Sequence, residues 1–221
     1  VIYAKPRITF VAGAAFVELA DEISVAASLR VQATARRLTH DAIYELVPAY
    51  ASLLIRYDEA RLSKAALRHL LRSAVTGGDE LAEAGPAGAL VEIVVSYGGA
   101  DGPDLAQVAA HCGLSVAAVI AQHSAAIYTV AMLGFAPGFA YLLGLPAELA
   151  TPRLASPRLH VPAGSIGIAG QQSGLYALDT PAGWQIIGRT LAPLWQAHRQ
   201  PPSLLQVGDR VRFVVQSAPE E

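Results

Sequence analysis

The chain reads as two units of different class: an α+β layer, then a small β-rich domain that is a barrel or a sandwich. Three observations predict this. Up to about residue 75, strand-like runs come in pairs separated by helical runs. Residues 76–89 then combine Gly, Pro and acids with little apolar content, the composition of a linker. From 134 to 190, short apolar runs alternate with Gly and Pro at close intervals. Gly supplies backbone angles that other residues avoid, and Pro is excluded from central strands. The pattern is that of short strands joined by tight turns. A helix there would lose ~3 kcal/mol at each interior Pro and ~1 kcal/mol at each Gly. The expected boundaries are 1–88 for the first domain and 89–221 for the second.

The elements follow in order. Residues 7–11 and 15–19 read as strands around the turn Ala12-Gly13-Ala14. Asp21 is the expected N-cap of a helix running to about Leu38, with Ile23, Ala26, Ala27, Val31 and Ala35 at helical spacing. Residues 43–47 and 52–57 are two more strands divided by Pro48, and Ser63 caps a second helix through Val75. Helices then pack on one face of a sheet. Leu90 to Tyr97 opens the second domain as an apolar strand.

Pro103 suits the first turn of a helix with Leu105, Val108 and Ala109 on its apolar face; Gly113 stops it and Ser115 caps the next. This spacing is that of a helix-turn-helix. DNA affinity rests on neutralising phosphates, and residues 114–131 contain no Lys or Arg. The pair is therefore read as two helices flanking the β-rich domain. Ala126 to Leu133 is a strand, and 210–215 alternates as a final strand after the turn Gly208-Asp209.

Composition bounds the function. Hydrophobic residues make up 53% and charged ones 15%, which is a folding composition. No run approaches the ~20 apolar residues that span a bilayer, and Val1 to Arg7 lacks the apolar core of a secretory signal. The single cysteine, Cys112, cannot form an internal disulfide and fits a reducing cytoplasm. A net charge of −2 leaves no nucleic-acid footprint. No Lys or Arg occurs between Arg72 and Arg153, which fits either a buried core segment or burial against another chain.

The chemistry is narrowed by what is missing. The sequence has no Gly-rich phosphate loop with its Lys, no Gly-x-Ser-x-Gly elbow, no His-Glu-x-x-His and no cysteine pair. Between His111 and Gly208 the only carboxylates are Glu148 and Asp179, so neither a two-carboxylate site nor a metal is expected from this chain. Cys112 beside His111 reads as a small buried hydrophobe, since helical neighbours point to different faces. Cations, amides and aromatics remain. Arg153, Arg158 and Arg189 offer planar forks for a carboxylate or phosphoryl group, or else tie loops to backbone carbonyls. Gln171, Gln172 and Ser173 lie in a Gly-rich run that either exposes N–H groups to an anion or simply turns. Tyr141, Tyr176 and Trp184 are core, interface or ligand contacts. His123 has the ordinary pKa of a general base, or is structural.

The stretch 134–190 also carries a resemblance. Its motifs are Gly134-Phe135-Ala136-Pro137-Gly138-Phe139-Ala140-Tyr141-Leu142, the pairs Pro152-Arg153 and Pro157-Arg158, the run Val161-Pro162-Ala163-Gly164-Ser165-Ile166-Gly167-Ile168-Ala169-Gly170, and Gly183-Trp184-Gln185-Ile186-Ile187-Gly188-Arg189-Thr190. These resemble the family that contains the B subunit of 5-oxoprolinase, the small subunit of allophanate hydrolase, the matching segment of urea amidolyase and the kinase inhibitor KipI. The likeness runs from about Arg7 to Phe213. It departs at Tyr176-Ala177, where the family has Tyr-Pro, and at Pro181-Ala182-Gly183-Trp184, where it has Pro-Gly-Gly-Trp. The resemblance implies an α+β N-terminal domain followed by a cyclophilin-like β-barrel. It implies the B subunit of an ATP-dependent 5-oxoprolinase, which opens 5-oxo-L-proline to L-glutamate together with an A subunit and a carboxyltransferase-like C subunit. ATP would then be a cofactor of the complex, with no biotin held by this chain. Other members imply a KipI-like inhibitor of a sensor histidine kinase, or the small subunit of an allophanate hydrolase or urea carboxylase-type enzyme. The expected substrate-binding residues are Arg153, Arg158, Arg189, Gln172 and Tyr141, with Arg189 and His123 as catalytic candidates. Arg189, with Arg153 or Arg158, is expected to face a cleft shared with the C subunit.

Overall fold

The computed structural model describes residues 1–83 and 88–216. The chain divides into two compact units, Val1–Ala87 and Gly88–Glu221.

In the first unit, strands β1 (Ile2–Val11), β2 (Ala14–Ala20), β3 (Ile43–Pro48) and β4 (Ser52–Tyr57) form one antiparallel sheet, ordered β1-β2-β4-β3. Val17 and Leu19 of β2 are buried while Phe16 between β2's inward residues stays exposed, the two-residue period of a strand with one dry face. That face meets helices α1 (Val25–Arg37) and α2 (Lys64–Glu83), whose Val31, Leu67 and Leu71 share a core with Val17, Leu19, Leu53 and Ile55. The expected layer is therefore present.

Two details differ from expectation. The cap of α1 is Ser24, whose hydroxyl accepts from the Ala27 N–H at 3.1 Å, and Asp21 lies outside the helix. Helix α2, capped by Ser63 as expected, continues past Val75 to Glu83 and so takes in much of the presumed linker. Residues of strong helix propensity follow Gly77-Gly78 and carry the helix through them. The rest of the linker, residues 84–87, lies outside the described residues.

The second unit begins with β5 (Leu90–Tyr97), α3 (Leu105–Cys112), α4 (Val116–Ala125), β6 (Ile127–Leu133) and β7 (Ala140–Leu143). After a 3-10 turn at Ala147–Leu149 come β8 (Arg158–Val161), β9 (Ser165–Ala169), β10 (Gln172–Leu175), β11 (Thr180–Ala182), β12 (Gln185–Arg189) and β13 (Arg210–Val215). Seven strands close a barrel in the order β10-β7-β6-β13-β5-β12-β9, which settles barrel against sandwich. Closure removes exposed strand edges. The last strand, β13, lies parallel to the first, β5. Strands β8 and β11 pair with each other in a separate ribbon. Aliphatic side chains such as Val95, Val130, Leu142, Ile166, Ile168 and Val211 fill the barrel core with Tyr128 and Phe213.

Helices α3 and α4 meet at 93° around Gly113, which holds a left-handed conformation at φ 66°. Helix α4 packs on β13 and buries Val119 and His123. Among the described residues, no single helix is long and apolar enough to cross a membrane.

Candidate functional site

The site is built on two glycines. Gly167 of β9 and Gly174 of β10 stand directly opposite each other. A Cβ on Gly174 would come within 2.7 Å of the Trp184 ring and 2.9 Å of the Phe139 ring; one on Gly167 would come within 3.0 Å of Trp184 Cβ. These glycines are strand residues, and what they provide is room for aromatic rings. Phe139, Tyr176 and Trp184 are buried there in a core cluster of their own. Phe139 sits at its centre, edge-on to Tyr141 (4.6 Å between centroids), Tyr176 (4.8 Å) and Trp184 (5.7 Å).

Over this floor lies a cleft of about 240 Å³, walled by Phe135, Tyr141, Arg153, Pro157 and Pro181. The Arg153 guanidinium stands 5.9 Å from the Trp184 ring. Among the described residues it has no hydrogen-bond or ion-pair partner. The backbone on both sides of it is fixed. The Pro152 carbonyl accepts from Gln185 Nε2 at 3.0 Å, and the Leu154 N–H donates to the Gly183 carbonyl at 2.8 Å. A short bridge between Thr151 and Gly170 adds a third tie. Arg153 is thus an exposed cation on an anchored turn, beside an aromatic floor.

Burial raises the phenol pKa values of Tyr141 and Tyr176, and the nearby Arg153 charge opposes that rise. Both phenols keep their protons near neutral pH and can donate hydrogen bonds. Phe135, at the mouth, is the one non-glycine among the described residues with positive φ, at 67°, and it is 64% exposed. Such a backbone costs of order 1–3 kcal/mol. Its ring stands edge-on to Phe139 at 5.5 Å. An exposed aromatic is thus held at the mouth at a conformational cost.

The other expected residues lie elsewhere. Arg158 donates to Asp104 at 2.5 Å, and Asp104 is 4% exposed. The second Asp104 oxygen accepts from the Ile186 N–H at 2.6 Å, and the Asp104 N–H donates to the Ile186 carbonyl. Arg158 therefore pins the β8 ribbon to strand β12. Arg189 donates through Nε to the Ala163 carbonyl at 2.9 Å and does not wall the cleft. Gln172 starts β10 opposite Ala169, also away from the cleft. Cys112 packs against the barrel core and contacts Thr151 at 3.6 Å.

His123 is 0% exposed. Its Nδ1 meets the Tyr97 hydroxyl at 2.7 Å and its Nε2 meets Ser173 Oγ at 3.2 Å, while Ser173 donates onward to the Gly167 carbonyl. The ring stacks on Phe213 at 4.7 Å. Burial lowers its pKa to about 3, so it stays neutral. Both nitrogens are occupied inside the barrel core, where His123 is shielded from solvent and does not wall the cleft. Among the described residues, no three His, Cys, Asp or Glu side chains stand together as a metal site.

The structure thus brings Arg153 and Tyr141 together and separates Arg158, Arg189, Gln172 and His123 from them. Sequence reasoning missed Phe135, Phe139 and Asp104. The first two lie in the Gly-Phe-x-Pro-Gly-Phe motif and were open to being found there. Asp104 lies 54 residues from the arginine it holds and sends no local signal.

Comparison with known proteins gives the family of the chain. The chain is 45% identical over 206 residues to the B subunit of 5-oxoprolinase from Escherichia coli O157:H7, covering 92% of each chain. It is 43% identical over 178 residues to the B subunit of 5-oxoprolinase from Bacillus subtilis (strain 168), covering 77% of this chain and 74% of that one. Among solved structures it matches TTHA0988 with a TM-score of 0.80 and 37% identity, over 93% of this chain but only 40% of that longer one. The urea amidolyase of K. lactis shares the fold, with a TM-score of 0.71 at 17% identity over 98% of this chain and 16% of that one. The family model for the carboxyltransferase domain, subdomain C and D, matches residues 7–205, and to that family this chain belongs.

Proposed function

We propose that this chain is the B subunit of a 5-oxoprolinase, working with an A subunit and a carboxyltransferase-like C subunit. The observation that carries this is its end-to-end likeness to the E. coli O157:H7 chain of that name, 45% identical over 92% of both. The cleft supports it. 5-Oxoproline is a small ring bearing one carboxylate and one lactam amide. The unpaired Arg153 fork suits the carboxylate, the aromatic floor suits the ring, and the Tyr141 phenol can donate to the lactam oxygen. Arg153 and Tyr141 are the substrate-binding residues in this reading; Arg158 and Arg189 tie the scaffold.

The reaction consumes ATP at the level of the complex. An unstrained lactam is a poor electrophile. Transfer of the γ-phosphoryl group of ATP to the lactam oxygen releases ADP and turns that oxygen into a leaving group. Water then adds to the carbon and the C–N bond breaks with a proton going to nitrogen, which leaves an acyl phosphate; a second water hydrolyses this to the carboxylate and free phosphate. The products are L-glutamate, ADP and phosphate. Cations and N–H donors stabilise the developing charge. Among the described residues, Arg153 and the phenols are the polar side chains that wall the cleft, so turnover requires the partner chains. The reading places the complex in the cytoplasm.

The test is co-expression with the candidate C and A subunits, followed by ATPase and glutamate assays with and without 5-oxoproline. ATP turnover that depends on 5-oxoproline, with glutamate released, is expected. A stable assembled complex that leaves 5-oxoproline untouched would overturn the reading.

A further inference from the structure

The first unit carries a groove that this reading does not use. Helix α2 buries Leu67, Leu71, Ala74 and Val75. On its flank Lys64, Arg68 and Arg72 recur every four residues, so three cations form one stripe. The opposing wall comes from β1, an edge strand whose register against β2 shifts between Ile2 and Arg7. Between the two walls lies a cavity of about 500 Å³, with Lys5, Arg68 and Arg72 around Pro6, Ile8 and Val75.

Its charge is uncompensated among the described residues. No acidic residue lines the cavity among the described residues. Arg68 lies over the Phe10 ring at 4.9 Å, and neither it, Arg72 nor Lys5 has a side-chain hydrogen-bond acceptor or an ion-pair partner among those residues. The remaining cation of the stripe, Lys64, is matched by Glu59 at 3.8 Å and lies outside the cavity. Like charges one turn apart weaken a helix. Three in one half-enclosed cavity are stabilised by an anion of high charge density.

We infer that this groove binds a small molecule with two or more phosphoryl groups, with Arg68, Arg72 and Lys5 on the phosphate oxygens. Planar Arg forks match phosphate, and three converging cations match a chain of phosphates better than a single carboxylate. A peptide added along the β1 edge is disfavoured, because Pro6 has no N–H to give and the register is broken there. The site lies in the first unit and is independent of the cleft and of the reaction proposed above.

Titration calorimetry on the purified chain tests this, with tripolyphosphate, ADP, ATP and AMP at low salt. Saturable binding at one site is expected for the first three, weaker for AMP, and declining as salt rises. Equal affinity for tripolyphosphate and ATP would mean that the groove reads the phosphate chain alone; tighter ATP would mean that Pro6, Ile8 and Val75 also read the nucleoside. The double variant Arg68→Gln/Arg72→Gln loses at least about tenfold in affinity. The control Arg36→Gln/Arg37→Gln, an exposed basic pair at the end of α1, loses nothing. Thermal unfolding verifies that both variants fold. The inference fails if no polyphosphate saturates at low salt, or if the two double variants behave alike. It also fails if a polyglutamate peptide displaces tripolyphosphate at lower concentration, which would make the groove a protein-docking surface.

Discussion

Two Pro-Arg corners, five residues apart, use the same side chain in opposite ways. At Pro157-Arg158 the guanidinium is spent on a buried carboxylate, Asp104, which in turn holds the backbone of Ile186. At Pro152-Arg153 the neighbouring backbone is anchored instead, by Gln185 and Gly183, and the guanidinium is left over the Trp184 ring with no acceptor among the described residues. One corner is closed and serves the fold; the other is open and suits a ligand. Partnership and burial, more than residue type, separate a scaffold arginine from one left free for a ligand.

The sharpest way to break this contrast is at the closed corner. Arg158→Ala leaves Asp104 buried without its cation and lowers the free energy of unfolding by about 3 kcal/mol, measured in urea. The double variant Arg158→Met/Asp104→Asn recovers part of that loss, since no charge is stranded and the amide oxygen still accepts from the Ile186 N–H. An Arg158→Ala chain as stable as the parent would remove the closed corner from the comparison.

His123 extends the closed class and gives it a pH signature. Its folded pKa, about 3, lies below the ordinary 6.5, so the unfolded chain binds the proton more readily. Its stabilising contribution is complete above pH 6.5 and is lost as the pH falls from there toward 3. Unfolding free energies of the parent and His123→Gln, taken across that range, converge toward acid. Parallel curves would mean that the imidazole is not held neutral.

The open corner behaves in the reverse sense. Arg153→Ala changes stability by less than about 0.5 kcal/mol. In the assembled complex it lowers kcat/KM for 5-oxoproline about tenfold to a hundredfold, the value of a charge-assisted contact to a carboxylate. Arg153→Lys recovers only part, because an ammonium keeps the charge and loses the fork. A kcat/KM unchanged by Arg153→Ala in an intact complex would sink the binding role.

The smallest effect is expected at the mouth. Phe135→Gly relieves the left-handed backbone and raises stability by about 1 kcal/mol, while KM for 5-oxoproline rises. A residue kept only for packing would lose stability on the same change. Opposite signs in the two measurements therefore separate a site role from a core role.

Much of this protein was legible in the chain itself. Alternating and helical periodicities located the strands of the first sheet and the helices of both units, and Ser63, Gly113 and Ser115 marked helix ends, because caps and turns act over three or four residues. The dense Gly and Pro punctuation of 134–190 announced short strands joined by tight turns for the same local reason, with barrel and sandwich both open. The motifs there also pointed to the region of the cleft, and to Arg153 and Tyr141 within it. Tertiary structure decided the rest. Arg153, Arg158 and Arg189 are alike in sequence context, and what distinguishes them is an acceptor supplied from 54 residues away in one case and from Ala163 across the barrel end in another. His123 carries the chemistry of a general base, yet strand closure seals it between Tyr97, Ser173 and Phe213. The glycines that read as turns turned out to be the space into which Phe139 and Trp184 fit. Local propensity is written residue by residue, whereas partnership and burial depend on which distant strands meet, and only the closed barrel fixes that.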